Sequence, residues 1–236
     1  MSAPLRQLAV EAAEAYRPAG RWAYHFARGK LAGDPLFGTL LRPGLLPARG
    51  HYLDLGCGQG LLAAWLQAAG RRHALGAWPA GHPPPPRLAR YTGVELLDSA
   101  VRRGNLALGH DPAIHLDTGD MTRAVIPPVD VVTLIDVLHY IPATAQEALL
   151  ARIRAQLAAD ARLLLRVGDA SAGLAYRLSR LTDSLVVFGH CARWPALHGR
   201  PLDAWLELLI RLGFRCETHP MGGAGFANIL ILARPD

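Results

Sequence analysis

The residues of this chain that could most clearly do chemistry are three closely spaced glycines that follow an acidic residue. Gly56, Gly58 and Gly60 come directly after Asp54 and the apolar run 51–55, and a helical pattern follows them. Glycine has no Cβ, so a ligand can approach its backbone closely, and the first N–H groups of a helix lack partners within the helix. The stretch therefore predicts a strand, a turn and a helix N-terminus that together suit a nucleotide-like ligand.

The spacing of the glycines indicates which kind of nucleotide-like ligand the turn suits. A dinucleotide-binding turn has glycines at its first, third and sixth places, whereas here the third glycine is at the fifth place and Leu61 is at the sixth. The stretch D-L-G-C-G-Q-G resembles motif I of the class I S-adenosylmethionine-dependent methyltransferases. The alternative is a glycine-rich turn in another α/β protein. The resemblance implies a site for S-adenosylmethionine at Asp54, Gly56, Cys57, Gly58 and Gly60.

Further site residues follow the next two predicted strands. Glu95 ends the second strand, and in this family the acid at that point accepts hydrogen bonds from both ribose hydroxyls of the cofactor. Leu96 is then implied to lie against the adenine. Asp120 and Met121 follow the third strand and match the family's G-D-x step, which places an Asp at the adenine amino group. Taken alone, Asp120 is equally well explained as a turn or cap residue.

The fourth predicted strand, 128–136, is rich in β-branched residues and is expected at the centre of the sheet. Ligands of open α/β sheets bind beyond the carboxyl ends of the strands. Small-molecule methyltransferases carry a D-x-L-x-x motif there, often with His. The resemblance therefore implies that Asp136 lies beside the sulfonium and that His139 and Tyr140 line the acceptor pocket. The competing interpretation is that His139 only caps or packs at the next helix.

Two segments lie outside the strand and helix pattern of the sheet. Residues 1–47 have helical spacing, and in a methyltransferase this leader is expected to form a lid and to shape the acceptor pocket; otherwise it only packs on the sheet edge. Residues 71–90 contain four consecutive prolines, which cannot donate to a strand ladder. They predict a tolerated surface insertion, in preference to a polyproline segment that binds a partner.

A third segment, 171–201, lies where many small-molecule methyltransferases insert an acceptor-binding element. By that resemblance His190 would supply a base, Arg193 an anion clamp and Trp194 a stacking surface, although loop composition explains any one of them. The leader sequence F-A-R-G-K-L and the glycine motif also resemble methyltransferases of bacterial polyketide-like and aryl-polyene pathways. That likeness implies an aromatic or carrier-bound acyl acceptor, whose carboxylate or phosphate Arg193 or Arg200 would face, and an acyl-carrier or pathway partner.

The composition excludes several other classes. The 236 residues are 51% hydrophobic and 19% charged, which is globular. No apolar run approaches the ~18 residues of a membrane span, and the N-terminus lacks a signal-peptide core, so a cytosolic location is predicted. The three cysteines form neither a disulfide framework nor a metal-binding pattern. The net charge of +6 comes from scattered arginines with no basic run, so no nucleic-acid partner is expected.

The chain closes with two predicted strands, 214–218 and 227–233, joined by a glycine-containing loop, which is a hairpin pattern. With the family resemblance, the prediction is an α/β, Rossmann-like, seven-stranded sheet. The sheet is expected to be mostly parallel with an antiparallel last strand and to have helices on both faces. It belongs to a methyltransferase domain, 48–236, which the N-terminal helical lid, 1–47, precedes. The closing hairpin disfavours a nicotinamide oxidoreductase, whose fold lacks it.

The predicted function is S-adenosylmethionine-dependent transfer of a methyl group to O, N or C of a small-molecule acceptor by in-line displacement. Orientation of the reactants can contribute ~7–11 kcal/mol. A base is needed only where the acceptor must lose a proton, and His139 or His190 could supply it. The alternative is a methyltransferase fold that binds the cofactor or scaffolds a complex without catalysis, which the intact acids Asp54, Glu95 and Asp120 disfavour.

Overall fold

The computed structural model describes residues 2–168, 198–221 and 228–236. Their strands are β1 (Arg49–Leu55), β2 (Arg87–Glu95), β3 (Ile114–Thr118), β4 (Val131–Ile135), β5 (Arg162–Gly168), β6 (Phe214–Pro220) and β7 (Asn228–Pro235). Their helices are α1 (Ala3–Glu14), α2 (Arg21–Gly33), α3 (Pro35–Leu40), α4 (Leu61–Ala74), α5 (Asp98–Leu108), α6 (Ala143–Gln156) and α7 (Leu202–Arg211).

The strands form the predicted seven-stranded sheet, in the order β3-β2-β1-β4-β5-β7-β6. β2 is parallel to both β1 and β3, whereas β7 is antiparallel to both β5 and β6. The mostly parallel sheet and its antiparallel last strand are therefore confirmed. No helix among the residues described is long and apolar enough to cross a membrane.

The chain folds as two compact units. The first comprises Met1–Val125 and Val129–Val131, and the second comprises Ile126–Pro128 and Val132–Asp236. Within the first unit, α1 packs against α2 and α4, and α5 packs on β3. Within the second, α7 packs on β6.

The leader helices contribute to the core of the first unit. α1 buries its stripe Leu8, Ala9, Ala12 and Ala13 completely, and the small alanines allow a close approach to the neighbouring helices. Trp65 of α4 is fully buried and its ring lies 5.7 Å from that of Phe37, centroid to centroid. The predicted N-terminal helices are thus present and well packed, while their role as a lid stays a prediction.

The predicted surface insertion is shorter than 71–90. α4 continues through Gly70 to Ala74, and β2 begins at Arg87, so the irregular part is 75–86. A glycine inside a helix costs ~1 kcal/mol relative to alanine. Two residues after Gly70 along α4, the Arg72 guanidinium donates to Glu11 at 2.6 Å and to Gln7 at 3.1 Å on α1. These contacts lie far apart in sequence, so the local pattern could not predict them.

Candidate functional site

The three glycines between β1 and α4 adopt the backbone that only glycine enters without cost. Their φ angles are 80° at Gly56, 57° at Gly58 and 79° at Gly60. The turn is fixed to β2, because the N–H groups of Gly56 and Cys57 donate to the Val94 carbonyl at 2.7 and 3.2 Å. Gly60 forms the N-cap of α4. The local sequence and the neighbouring strand together determine this shape.

The glycines face different surroundings. A Cβ atom on Gly58 would have no other atom within 4 Å, so the turn opens onto free space there. A Cβ atom on Gly60 would lie 3.0 Å from Leu108 and 3.1 Å from Leu116. Gly60 therefore serves close packing, whereas Gly58 leaves room for a ligand.

The different surroundings of Gly58 and Gly60 can be tested with a matched pair of variants. Gly58→Ala and Gly60→Ala share the left-handed strain of ~1–2 kcal/mol, but only the Gly58 methyl group would occupy the open space. We expect Gly58→Ala to weaken S-adenosylhomocysteine binding about tenfold, or ~1.4 kcal/mol. Gly60→Ala should instead lose a further ~1–3 kcal/mol of stability through overpacking. Isothermal titration and thermal unfolding of both variants measure this, and equal affinities would contradict it.

Glu95, at the end of β2, is bonded directly to the glycine turn. Its carboxylate accepts hydrogen bonds from the N–H of Gly58 at 3.0 Å and from the N–H of Leu97 at 2.9 Å. An ionised carboxylate has about four lone-pair positions, so it can accept two further donors, such as a pair of vicinal hydroxyls. The neighbouring Leu96 is 70% exposed and offers an apolar surface. The sequence indicated Glu95 but not its bond to the turn.

Asp54, in β1 before the turn, and Cys57, within the turn, are both buried. The Asp54 carboxylate accepts a short hydrogen bond from the hydroxyl of Tyr91, which joins β1 to β2. Burial, followed by the charges of Asp54 and Glu95, raises the pKa of the Cys57 thiol well above its usual value. A thiol with a raised pKa stays protonated and is a poor nucleophile. Cys57 therefore acts as a small filler, while direct ligand contact by either residue stays a prediction.

Asp120 and Met121 follow β3. Asp120 is exposed, and one of its carboxylate oxygens accepts both the N–H and the hydroxyl of Thr122 at 2.8 Å. These bonds lower the pKa of Asp120. Asp120 thus stabilises a local turn, which is the alternative to binding adenine. Met121 is half-buried, and the adenine contacts of both residues stay predictions.

In the second unit, Asp136 directly follows β4 and has a strained backbone conformation. Its φ is 57°. Among the described residues, Asp136 is the one non-glycine residue with a positive φ. Arg166 of β5 holds it: Nε donates to Oδ1 at 2.8 Å, Nη2 pairs closely with Oδ2, and the Arg166 carbonyl accepts the Asp136 N–H at 3.1 Å. Strained residues of this kind cluster at functional sites. Sequence reasoning identified Asp136 but missed Arg166, which looks like one more residue of a buried strand.

Asp136→Asn is expected to lower the free energy of unfolding by ~2 kcal/mol and Tm by about 4–8 °C. Asn tolerates the left-handed backbone, so the substitution removes mainly the charged partner of Arg166. The Arg166 side chain is 2% exposed and that of Asp136 is 30% exposed, so the expected loss is below the ~3–5 kcal/mol of a fully buried pair. Calorimetry measures it. Asp98→Asn, which breaks the exposed pair with Arg102, is the control, and equal shifts would contradict the prediction.

The 3-10 turn Leu138–Tyr140 follows Asp136. The half-buried rings of His139 and Tyr140 contact each other, with centroids 4.1 Å apart. The backbone carbonyl of His139 accepts the N–H of His198 at 2.8 Å. The turn that carries both predicted acceptor residues is therefore bonded to His198, which precedes α7.

Gln146 of α6 is a second residue that the sequence did not reveal. It is fully buried, and its Nε2 donates to three carbonyls, those of Leu138 (3.0 Å), Ile141 (3.1 Å) and His198 (2.8 Å). Its Oε1 accepts Nε of Arg200 at 2.8 Å. Only the tertiary structure brings these four partners together, because Gln is otherwise an ordinary residue for a helix surface.

The Arg200 guanidinium forms hydrogen bonds with other residues of the chain. Besides Gln146, it donates to the Ala143 carbonyl at 3.0 Å and pairs with Glu147 at 2.8 Å. These bonds explain its position without the acceptor anion that the sequence suggested. His190, Arg193 and Trp194 lie outside the described residues, as does most of the predicted insert 171–201. No group of three metal-ligating side chains occurs in the described ranges.

The sheet order, the antiparallel β7 and the glycine turn beside an acidic strand end define the class of Rossmann-like methyltransferase folds. Residues 25–219 match the family model described as a methyltransferase domain. The match spans most of the sequence, and the chain belongs to this family of methyltransferase domains. A search of curated proteins finds no match.

Solved structures agree on the fold. The chain is similar to human N-acetylserotonin methyltransferase in complex with SAM, with 19% identity and a TM-score of 0.60 over 93% of this chain and 57% of that one. It is also similar to an O-methyltransferase family 2 protein from Planctomyces limnophilus in complex with apigenin. The identity is 19% and the TM-score is 0.63, over 90% of this chain and 60% of that one.

A shorter relative has nearly the same extent as this chain. A TehB-like SAM-dependent methyltransferase from Corynebacterium glutamicum is 18% identical, with a TM-score of 0.56 over 91% of this chain and 96% of that one. By contrast, the chain spans only about 60% of the length of the first solved structures that it matches.

Proposed function

We propose that this protein is an S-adenosylmethionine-dependent methyltransferase that acts on a small-molecule acceptor. The observation that carries the proposal is the Glu95 carboxylate, which is bonded to the Gly58 N–H beside the open face of the glycine turn. A cytosolic location and an acyl-carrier or pathway partner belong to the same proposal.

The donors, acceptors and surfaces of the first unit fit an adenosyl group. A ribose diol needs hydrogen-bond acceptors, and Glu95 has lone pairs beyond the two bonds it makes. An adenine ring needs an apolar surface, which the exposed Leu96 offers. A ligand that approaches the backbone needs room, which Gly58 provides. Two of these requirements are met by the adjacent Glu95 and Leu96, and the third by Gly58, which is 37 residues away in sequence but bonded to Glu95.

S-adenosylmethionine, when bound, supplies an activated methyl group on a sulfonium. The protein's own residues then have to orient the acceptor, exclude water and, for an acceptor such as a phenol, remove a proton. His139 and Tyr140 are proposed for the acceptor side, and His139 is proposed as the base. His190 keeps its sequence-based proposal as a second base. Support for a small acceptor comes from the structures named with N-acetylserotonin and with apigenin.

Two measurements test the proposed function. Isothermal titration with S-adenosylmethionine and S-adenosylhomocysteine establishes whether the protein binds them, and absence of binding at millimolar ligand would refute the proposal. Mass spectrometry then detects S-adenosylhomocysteine that forms only when an acceptor is added from a panel of phenols, amines and acyl compounds. Binding without turnover on fractionated metabolite pools would instead indicate a non-catalytic cofactor-binding protein.

A further inference from the structure

Two hydrogen bonds join the leader to the middle of the glycine turn. The hydroxyl of Tyr16, which follows α1, donates to the backbone carbonyl of Gln59 at 2.9 Å. The side-chain Nε2 of Gln59 donates to the carbonyl of Ala23 in α2 at 3.3 Å. Tyr16 is fully buried and Gln59 is 4% exposed. The leader and the turn therefore contact each other through buried polar groups, 43 and 36 residues apart in sequence.

Gln59 is well placed to control the shape of the turn. It lies between Gly58 and Gly60, both with positive φ, and glycine loses more conformational freedom on folding than any other residue. A donor that fixes the Gln59 carbonyl also fixes the plane of the following peptide, whose N–H at Gly60 donates to the Cys57 carbonyl at 3.0 Å. Holding a flexible turn in its binding shape improves affinity, because less ordering is left to the ligand.

The Tyr16 side chain is fully buried next to a packed helix. It follows the helix α1, whose buried stripe packs on α4 and α2. Burial, together with the nearby Cys57, raises the pKa of Tyr16 well above its usual value. The hydroxyl thus stays a neutral donor over the working pH range, so the bond to Gln59 does not weaken as the pH rises towards 9.

We propose that Tyr16 is a positioning residue for the cofactor turn and that Gln59 is the residue through which the leader acts on it. Cofactor affinity is then set partly by helices outside the sheet. This inference rests on the proposed function, since it concerns the same adenosyl site.

The test compares two Tyr→Phe variants in the leader of the full chain. Tyr16→Phe removes only the hydroxyl that reaches Gln59, and we expect it to raise the Kd for S-adenosylhomocysteine about five- to tenfold. Tyr24→Phe is the matched control, because the Tyr24 hydroxyl bonds to Glu14 and Arg17 instead of the turn. Its Kd should stay within about twofold of wild type. Isothermal titration gives all three values.

Gln59→Met provides a readout that a purely structural role would not produce. Gln59 Oε1 is buried without a hydrogen-bond partner among the residues described, so its removal should leave Tm unchanged or raised. The substitution also removes the 3.3 Å bond to Ala23, whose loss offsets the gain from removing Oε1, so any change in Tm should be small. The loss of this bond should nevertheless weaken S-adenosylhomocysteine binding. Hydrogen exchange adds a reciprocal measurement, because S-adenosylhomocysteine should protect the amides of α2 in wild type and protect them less in Tyr16→Phe.

The outcomes separate this inference from the function on which it rests. A wild-type protein that does not bind S-adenosylhomocysteine overturns the proposed function and the inference with it. Wild-type binding with equal Kd values for Tyr16→Phe, Tyr24→Phe and Gln59→Met overturns the inference alone. Weaker binding by Tyr16→Phe and Gln59→Met, with Tyr24→Phe unchanged, establishes it.

Discussion

Glu95→Ala is expected to weaken S-adenosylhomocysteine binding by about 100- to 1000-fold, because one carboxylate serves two purposes. It holds the glycine turn through Gly58 and the start of the next loop through Leu97, and it is proposed to accept the ribose hydroxyls. Hydrogen bonds to a charged group contribute ~1.5–3 kcal/mol each, so two lost bonds to a ligand already account for a factor of about 100. Isothermal titration measures the change.

Two further variants define what the Glu95 result means. Asp117→Ala removes an exposed carboxylate from the neighbouring strand β3 and should leave the affinity within about twofold of wild type, which excludes a general effect of charge. Glu95→Gln keeps one carbonyl oxygen, so its affinity for S-adenosylhomocysteine should lie between those of wild type and Glu95→Ala. If Glu95→Ala binds as well as Asp117→Ala, the ribose assignment is wrong.

His139→Ala is expected to lower turnover about 100-fold on an acceptor that must lose a proton, while the Kd for S-adenosylhomocysteine changes less than twofold. A phenol of pKa ~10 is ionised to only about a thousandth at neutral pH, which costs ~4 kcal/mol unless a base assists. A positioned base typically contributes a factor of 10² or more. Single-turnover kinetics with saturating S-adenosylmethionine separates this chemical step from binding.

The control for His139→Ala is a variant that removes a histidine side chain outside the proposed site. His110→Ala takes away an exposed histidine that follows α5, and its turnover should equal that of wild type. The effect of His139→Ala should also shrink on an acceptor that needs no deprotonation, since the base then has no task. Wild-type turnover of His139→Ala on a phenol would end the proposal of a base at this position.

Much of the fold could be predicted because local patterns and family resemblance agree with it. The β-branched fourth strand, the left-handed glycines and the closing hairpin each follow from the covalent properties of their residues. Element ends were less predictable. α4 runs past Gly70, and its Arg72 bonds to Glu11 of α1, a contact between helices distant in sequence that leaves no local signal.

The sequence by itself determined the class of ligand site, since the number and spacing of the glycines, and the acids after successive strands, restrict which ligand the first turn can accept. Only the tertiary structure decided which long-range bonds the candidate residues of each unit make. Arg166 on Asp136, Gln146 beneath the 138–141 segment, and Tyr16 on Gln59 are ordinary residues in their own segments. They acquire their roles because a buried polar group must find a partner wherever the fold brings one within reach.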